Sequence, residues 1–267
     1  MDDRTIERAV VKEKRYWSPP VMEANHKQGP KVPEIQSIIV GLSRDLPPKR
    51  VMRSWVGARE LVVWRSQSGG LNAWDNRCPH RGMRLSHGFV RGERLNCLYH
   101  GWQYDSDKGQ CRHIPAHPDL DPPDTICAHP AFIAESQGFM QVSLTGAPQM
   151  PELPTAMQPV RSLTIACDNA VLISALQNNA EAVVDMKQDM VILRESGRML
   201  AAAIQPLPDG QTNLHLLLES AADRAELTGA SQWIEMVRRI AEQSASQQKD
   251  TGPKDAGPKD TDKGSRA

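Results

Sequence analysis

Two short stretches decide the reading of this chain: Cys78-Pro79-His80-Arg81-Gly82 and Cys97-Leu98-Tyr99-His100-Gly101-Trp102. Each carries one cysteine, then one histidine two or three positions on, and each is closed by a glycine. Two thiolates and two imidazoles are a sufficient ligand set for zinc. Zinc modules, however, usually place two cysteines on one knuckle and two histidines on another element. Here each loop supplies one of each. That mixed pairing suits a two-iron cluster in which one iron takes Cys78 and Cys97 and the other takes His80 and His100. Each loop must then reach both irons, which accounts for the short Cys–His spacing. Gly82 and Gly101 let the backbone fold tightly and point N–H groups at the cluster sulfides.

Outward from these loops, residues 31–146 carry β-like signals. Pro and Gly punctuate the short apolar runs IQSIIVGL, RELVVWR, GLNAWD and GFMQVSL. Ser68-Gly69-Gly70 reads as a tight turn joining LVVWR to LNAWD as a hairpin. Residues 1–30 read as an N-terminal arm, broken at Trp17-Ser18-Pro19-Pro20. Residues 147–160, rich in Pro and Met, read as a linker. Residues 161–243 read as a second, α+β domain. In it RSLTIACDNAVLI is expected to form a strand pair, and ALQNNAEAVVDMKQDMVIL an amphipathic helix. RMLAAAIQPLPDGQTNLHLLLE reads as a hairpin turned at Pro208-Asp209-Gly210. SQWIEMVRRIAEQ reads as a closing helix with Ser231 as N-cap and Trp233, Val237 and Ile240 on one face. Residues 244–267 are polar, with GPKD repeated, and read as a disordered tail.

The chain has 267 residues and a formal net charge of zero, so it offers no electrostatic footprint for nucleic acid. It has no apolar run long enough for a membrane span. MDDRTIERAVVKEKRYW lacks the apolar core of a secretory signal. Five cysteines, an odd number, suit metal ligands and bystanders in a cytoplasmic chain better than a disulfide framework.

The two loops resemble the Rieske [2Fe–2S] motif of the ring-hydroxylating and demethylating Rieske oxygenases. RYWSPPV, LVVWR, the Gly69-Gly70 turn, DNRCPHRG, Leu85-Ser86-His87-Gly88, Gly92, YHGWQYD and His113-Ile114-Pro115-Ala116 fall in that family's order, over roughly residues 15–145. The resemblance implies a mainly antiparallel β Rieske domain, followed by a shortened, degenerate α+β domain of helix-grip type. Rieske proteins of respiratory and photosynthetic complexes have an extra cysteine in each loop. Met83 and Tyr99 stand there, so no such disulfide forms, and Trp102 replaces a serine that would donate to a cluster sulfur. The expected potential is roughly −150 to 0 mV, low in the Rieske range. That suits electrons arriving from an NAD(P)H-dependent flavin or iron–sulfur reductase, or from a ferredoxin.

The resemblance also implies a mononuclear iron held by two histidines and a carboxylate, the histidines about five residues apart on a helix. After residue 146 the sequence has one histidine, His215. The expected helix offers Asn178, Asn179, Glu181 and Asp185 but no imidazole. The chain is therefore expected to hold no mononuclear iron of its own and to serve a catalytic oxygenase subunit within a homo- or hetero-trimer. Asp185 is the candidate for a relict bridging carboxylate. A free Rieske ferredoxin-type carrier and a self-sufficient monooxygenase with an atypical iron site are the alternatives. The other polar candidates read blandly. His113, His117, Asp119 and Asp121 form a surface loop. His215 is a half-exposed strand residue. Asp185 and Asp189 line a solvated helix face. Cys111, Cys127 and Cys167 are core or bystander thiols, and Trp102 and Tyr104 pack around the cluster and shield it.

Overall fold

The structure, a computed structural model, describes residues 37–187 and 189–251; the arm expected at 1–30 lies outside the described residues. The first strands are β1 (Ser37–Leu42), β2 (Val51–Val56), β3 (Arg59–Arg65), β4 (Leu71–Asp75) and β5 (Phe89–Arg91). They are followed by β6 (Arg94–Asn96), β7 (Gln103–Asp105), β8 (Cys111–His113), β9 (Pro130–Ser136) and β10 (Phe139–Ser143). A six-stranded antiparallel sheet has the order β1-β10-β9-β4-β3-β2, and a smaller sheet runs β5-β6-β7-β8. β3 shows why the sequence folds this way. Its side chains alternate across the pleat, and both faces are covered. Val62 and Trp64 join the core beneath the Cys–His loops, with Trp74, Leu85, Leu95 and Tyr104. Leu61 and Val63 join the opposite core, with Ile38, Val40, Met140 and Val142. The expected β3–β4 hairpin forms, Leu61 opposite Asp75 and Arg65 opposite Leu71.

The second half comprises β11 (Met157–Ile165), α1 (Asn169–Asn179), β12 (Ala182–Lys187), β13 (Met190–Glu195), β14 (Arg198–Pro206), β15 (Thr212–Glu219) and α2 (Arg224–Thr251). Its sheet has the order β11-β15-β14-β13-β12. Alternation again assigns the faces. Val191, Leu193, Leu200, Ala202, Leu214 and Leu216 pack with Trp233, Ile234 and Val237 of α2. Met190, Ile192, Ala201, Ala203 and Leu217 pack with Ile39, Leu42 and Phe139 of the first half. The second sheet is thus sandwiched between helices and the back of the first sheet. Among the described residues no helix is long and apolar enough to cross a membrane.

Several expectations about this half are corrected. RSLTI is a strand, but Asp168 caps a helix after it, its carboxylate accepting from the Val171 N–H at 3.0 Å. The helix expected over ALQNNAEAVVDMKQDMVIL ends at Asn179, and Ala182–Lys187 is a strand instead. The β-branched pair Val183-Val184 favours that outcome. Asp185 and Asp189 therefore share no helix face. Ser231 is no N-cap; it lies inside α2, where it accepts from Arg161 at 3.2 Å. The cap is Asp223. Its carboxylate accepts from the Glu226 N–H at 2.9 Å while Glu226 accepts from the Asp223 N–H at 2.8 Å, a reciprocal capping box. α2 then continues to Thr251, into the stretch read as disordered, and β11 starts inside the stretch read as linker.

His215 is buried, 4% exposed, not half-exposed. It faces the seam between the halves because its neighbours Leu214 and Leu216 take the helix side. Ser162 Oγ donates to Asp45 Oδ2 at 2.8 Å and lies 3.0 Å from His215 Nδ1. Ser162 has one proton and gives it to the carboxylate, so Nδ1 is the protonated nitrogen. Nε2 is left buried without a partner. Gln205 ties the same seam, donating to Ser54 Oγ at 2.9 Å and to the Trp55 carbonyl at 2.8 Å.

Burial holds the His215 ring down at about 4, from an ordinary 6.5, with Asp45 opposing the shift only partly. Between these values the unfolded chain binds the extra proton, so stability rises with pH across that window. The contribution is complete above the unfolded value and lost as pH falls to about 4. Denaturant melts from pH 4 to 7 check this. Wild type is expected to lose up to roughly 3 kcal/mol more than His215→Leu across the window. Parallel pH profiles for the two proteins would contradict the assignment.

Candidate metal centre

The first loop joins β4 to β5 and the second joins β6 to β7. They are the same turn built twice. In the first, the Gly82 N–H donates to the Cys78 carbonyl at 2.8 Å and the Cys78 N–H to the Met83 carbonyl at 2.8 Å. In the second, Gly101 donates to Cys97 at 3.0 Å and Cys97 to Trp102 at 2.9 Å. Both glycines have φ of +70°, a conformation that favours glycine. Their own N–H groups close the turns. The N–H groups beside the sulfurs belong to His80 and Arg81 on Cys78, and to Tyr99 and His100 on Cys97.

Each loop is clamped from outside. Asn76 donates to Ser86 Oγ at 2.9 Å and accepts from the Ser86 N–H at 2.7 Å, pinning both ends of the first loop. Arg84 reaches Glu60 of β3 at 2.8 Å. Gly88 must lack a side chain, since a Cβ there would lie 2.3 Å from the Asn96 carbonyl oxygen. Pro115 seats against Gly101, its Cγ 3.0 Å from where a Cβ would stand. That gives the His113-Ile114-Pro115-Ala116 run a structural task.

The four candidate ligands come together as two pairs, sulfur beside sulfur and imidazole beside imidazole. The Cys78 and Cys97 sulfurs adjoin in the buried core. The His80 and His100 rings lie outside them, centroids 4.7 Å apart and 62° between planes. Trp102 stacks on His80 at 4.2 Å, nearly parallel at 4°. Tyr99 covers His100 at 3.8 Å. Cys97, then the Tyr104 hydroxyl and the backbone N–H groups, hold the Cys78 thiol down to about 6 against the opposing effect of burial. Cys97 is pushed up by its partner sulfur and by burial. The pair therefore favours a thiolate on Cys78 while Cys97 keeps its proton. The donor set, buried sulfurs beneath outer imidazoles, fits a [2Fe–2S] group with Cys78 and Cys97 on one iron and His80 and His100 on the other.

Tyr104 does more than pack. Its hydroxyl lies 3.0 Å from Cys78 Sγ, and no sequence signal distinguished it from a core aromatic. Cys111 is buried beneath the loops with its thiol pushed up by burial, and Cys167 is pushed up to about 11 the same way, so both are inert thiols.

Residues 36–132 match the family model of the Rieske [2Fe-2S] domain. These residues form a Rieske [2Fe-2S] domain, and the chain's relatives and structural neighbours include Rieske non-heme iron oxygenases. Oxidoreductase NdmD of Pseudomonas putida is 36% identical over 155 residues, 55% of this chain and 26% of that protein. The 4beta-methylsterol monooxygenase of Methylococcus capsulatus is 40% identical over 76 residues, 28% of this chain and 20% of that protein. The matches thus span about a quarter of these curated relatives or less. Apo dicamba monooxygenase superposes with a TM-score of 0.62 at 16% identity, covering 81% of this chain and 88% of that one. NdmA of Pseudomonas putida superposes with a TM-score of 0.60 at 19% identity, covering 86% and 85%. At such identities the likeness is one of fold, and it reaches beyond the Rieske domain into the second sheet and α2.

Tyr104→Phe removes a donor to a cysteine sulfur while keeping the ring. The reduced, more negative state loses more, so the reduction potential is expected to fall by roughly 50 mV, the one-electron equivalent of about 1 kcal/mol. Protein-film voltammetry reads this, and an unchanged potential would show that the hydroxyl does not face a ligand.

Proposed function

We propose that this chain is a cytoplasmic Rieske electron-transfer component of a multicomponent oxygenase that hydroxylates or demethylates a small molecule. It receives electrons from an NAD(P)H-dependent flavin or iron–sulfur reductase, or from a ferredoxin. It passes them to a mononuclear iron on a neighbouring subunit of a homo- or hetero-trimer. Cys78, Cys97, His80 and His100 hold the [2Fe–2S] cluster, whose chemistry is the uptake and release of one electron at a time.

The observation that carries this reading is the polarity of the site. Its sulfurs are buried, while Leu98, Tyr99 and His100 at the tip of the second loop are exposed. The thiolate side is insulated and the imidazole side opens to a partner. Tyr104 and the N–H groups of His80, Arg81, Tyr99 and His100 stabilise charge on the sulfurs. Trp102 fixes the His80 ring. The second half supports a partner-held iron: α1 (NAVLISALQNN) has neither histidine nor carboxylate, and His215 is sealed in the seam. Asp185 lies exposed on β12.

One observation favours a self-sufficient monooxygenase with an atypical iron site, namely that the chain covers 88% of dicamba monooxygenase. A stand-alone Rieske carrier would not need the second sheet. Iron, acid-labile sulfide and EPR of anaerobically purified protein separate these readings. About two irons and two sulfides per chain are expected, with a Rieske-type signal after dithionite and no nitric oxide adduct of a mononuclear ferrous site. A third iron with that adduct would replace the proposal with the self-sufficient reading. A colourless protein holding one zinc would overturn both.

A further inference from the structure

The two loops are one turn built twice, yet they present different chemistry outward. The first, residues 77–84, carries Arg77, Arg81 and Arg84. The second, residues 96–103, has no lysine, arginine or carboxylate, and its exposed tip is Leu98 and Tyr99. Beside the first loop the β2–β3 hairpin adds Arg53 and Arg59. Glu60 draws three guanidinium groups, Arg84 at 2.8 Å, Arg77 at 3.4 Å and Arg53 at 3.6 Å, and Asp75 takes Arg59 at 2.6 Å. The carboxylates sit low, with the Glu60 side chain 16% and the Asp75 side chain 28% exposed, while these four arginines are 41% to 57% exposed. Arg81 is exposed and makes no ion pair among the described residues. Solvent therefore meets a positive face on a chain whose formal net charge is zero. Exposed ion pairs add little to stability, and one carboxylate neutralises one guanidinium, so stability does not account for the excess.

Between Glu60, Asp75 and Arg77 lies an open cleft of about 350 Å³, its further walls formed by Cys78, Pro79 and His129. The positive face thus reaches the loop that supplies Cys78 and His80. We propose that this face is where the electron enters, by docking a donor protein whose surface is acidic around its own [2Fe–2S] centre. The inference rests on the electron-transfer role proposed above and assigns its donor. One electron passes from the donor's reduced centre, which is oxidised, to the oxidised Rieske cluster, which is reduced, and no bond forms or breaks. Charge suits a brief encounter, because complementary potentials act at a distance and raise the rate of association. The uncharged tip of the second loop suits a lasting contact, since interface cores are depleted of charge and enriched in tyrosine. Entry at the first loop and exit at the second let a donor come and go while a neighbouring subunit stays in place.

The probe is a plant-type [2Fe–2S] ferredoxin, an acidic protein whose potential lies well below the Rieske range. Calorimetric titration of the oxidised ferredoxin into the full-length holoprotein reads docking without electron flow. Stopped-flow reduction of the cluster by the reduced ferredoxin reads delivery. Wild type is expected to lose roughly tenfold or more, in affinity and in second-order rate, from about 20 mM to about 500 mM salt. R77E/R81E should lose roughly tenfold in both at low salt, together with most of the salt dependence. Its visible spectrum and dithionite-reduced EPR signal should match wild type, which shows the loop intact; Arg84 is left alone because it clamps that loop. Arg77→Glu and Arg81→Glu singly carry the same test in smaller steps, roughly threefold each. Lys108→Glu, in the β7–β8 turn, changes net charge as much as either single variant and should stay within about twofold of wild type. A protein with no Rieske signal would overturn the electron-transfer role and this inference with it. A cluster that dithionite reduces, with ferredoxin docking that is absent, indifferent to salt or to the two arginines, or as sensitive to Lys108→Glu, would overturn the inference and leave that role standing. Charge-dependent docking without reduction would do the same.

Discussion

The structure depends on two cysteine sulfurs held side by side in an apolar core. Unpaired, two thiols there are poor company: burial opposes ionisation of both, and a charge on one suppresses ionisation of the other. The chain offsets this with fixed donors. Four backbone N–H groups and the Tyr104 hydroxyl point at the sulfurs, favouring the thiolate form that iron requires. The remaining features of the first half serve to place those donors. The duplicated glycine turns aim the N–H groups, the Asn76–Ser86 clamp fixes the first loop, and Pro115 braces the second.

The second half is joined to this site through the back of the six-stranded sheet. Phe139, Ile39 and Leu42 on one side meet Ile192, Ala203 and Leu217 on the other. Gln205 and Ser162 find polar partners in the seam, while His215 Nε2 and Gln141 Oε1 are buried without one. A seam of this kind favours a fixed geometry between the halves over free hinge motion. The docked second half is then held rigidly against the sheet from which the first loop springs.

The first half was legible in the sequence because its constraints are local. Ligand spacing, closing glycines and the hairpin turn act within a few residues, and the strands are short apolar runs bounded by Gly and Pro. The second half was less so. Val183, Val184 and Met190 mimic a helical stripe, yet the chain is a strand there, because tertiary pairing with β13 overrides a weak periodicity. Ser231 looks like a cap but lies inside a helix already started by the Asp223–Glu226 box. The role of Tyr104 and the burial of His215 were invisible for a different reason. Both depend on partners far away in sequence, Cys78 for one, and Ser162 with Asp45 for the other.

The central claim is that two imidazoles and two thiolates share one cluster. The most direct test is electron–nuclear double resonance on the dithionite-reduced protein, grown with ¹⁵N-histidine. Two inequivalent ¹⁵N couplings are predicted, in keeping with rings set 62° apart and one of them stacked on Trp102, and His100→Ala should abolish the signal. A reduced cluster with no histidine coupling would contradict the account.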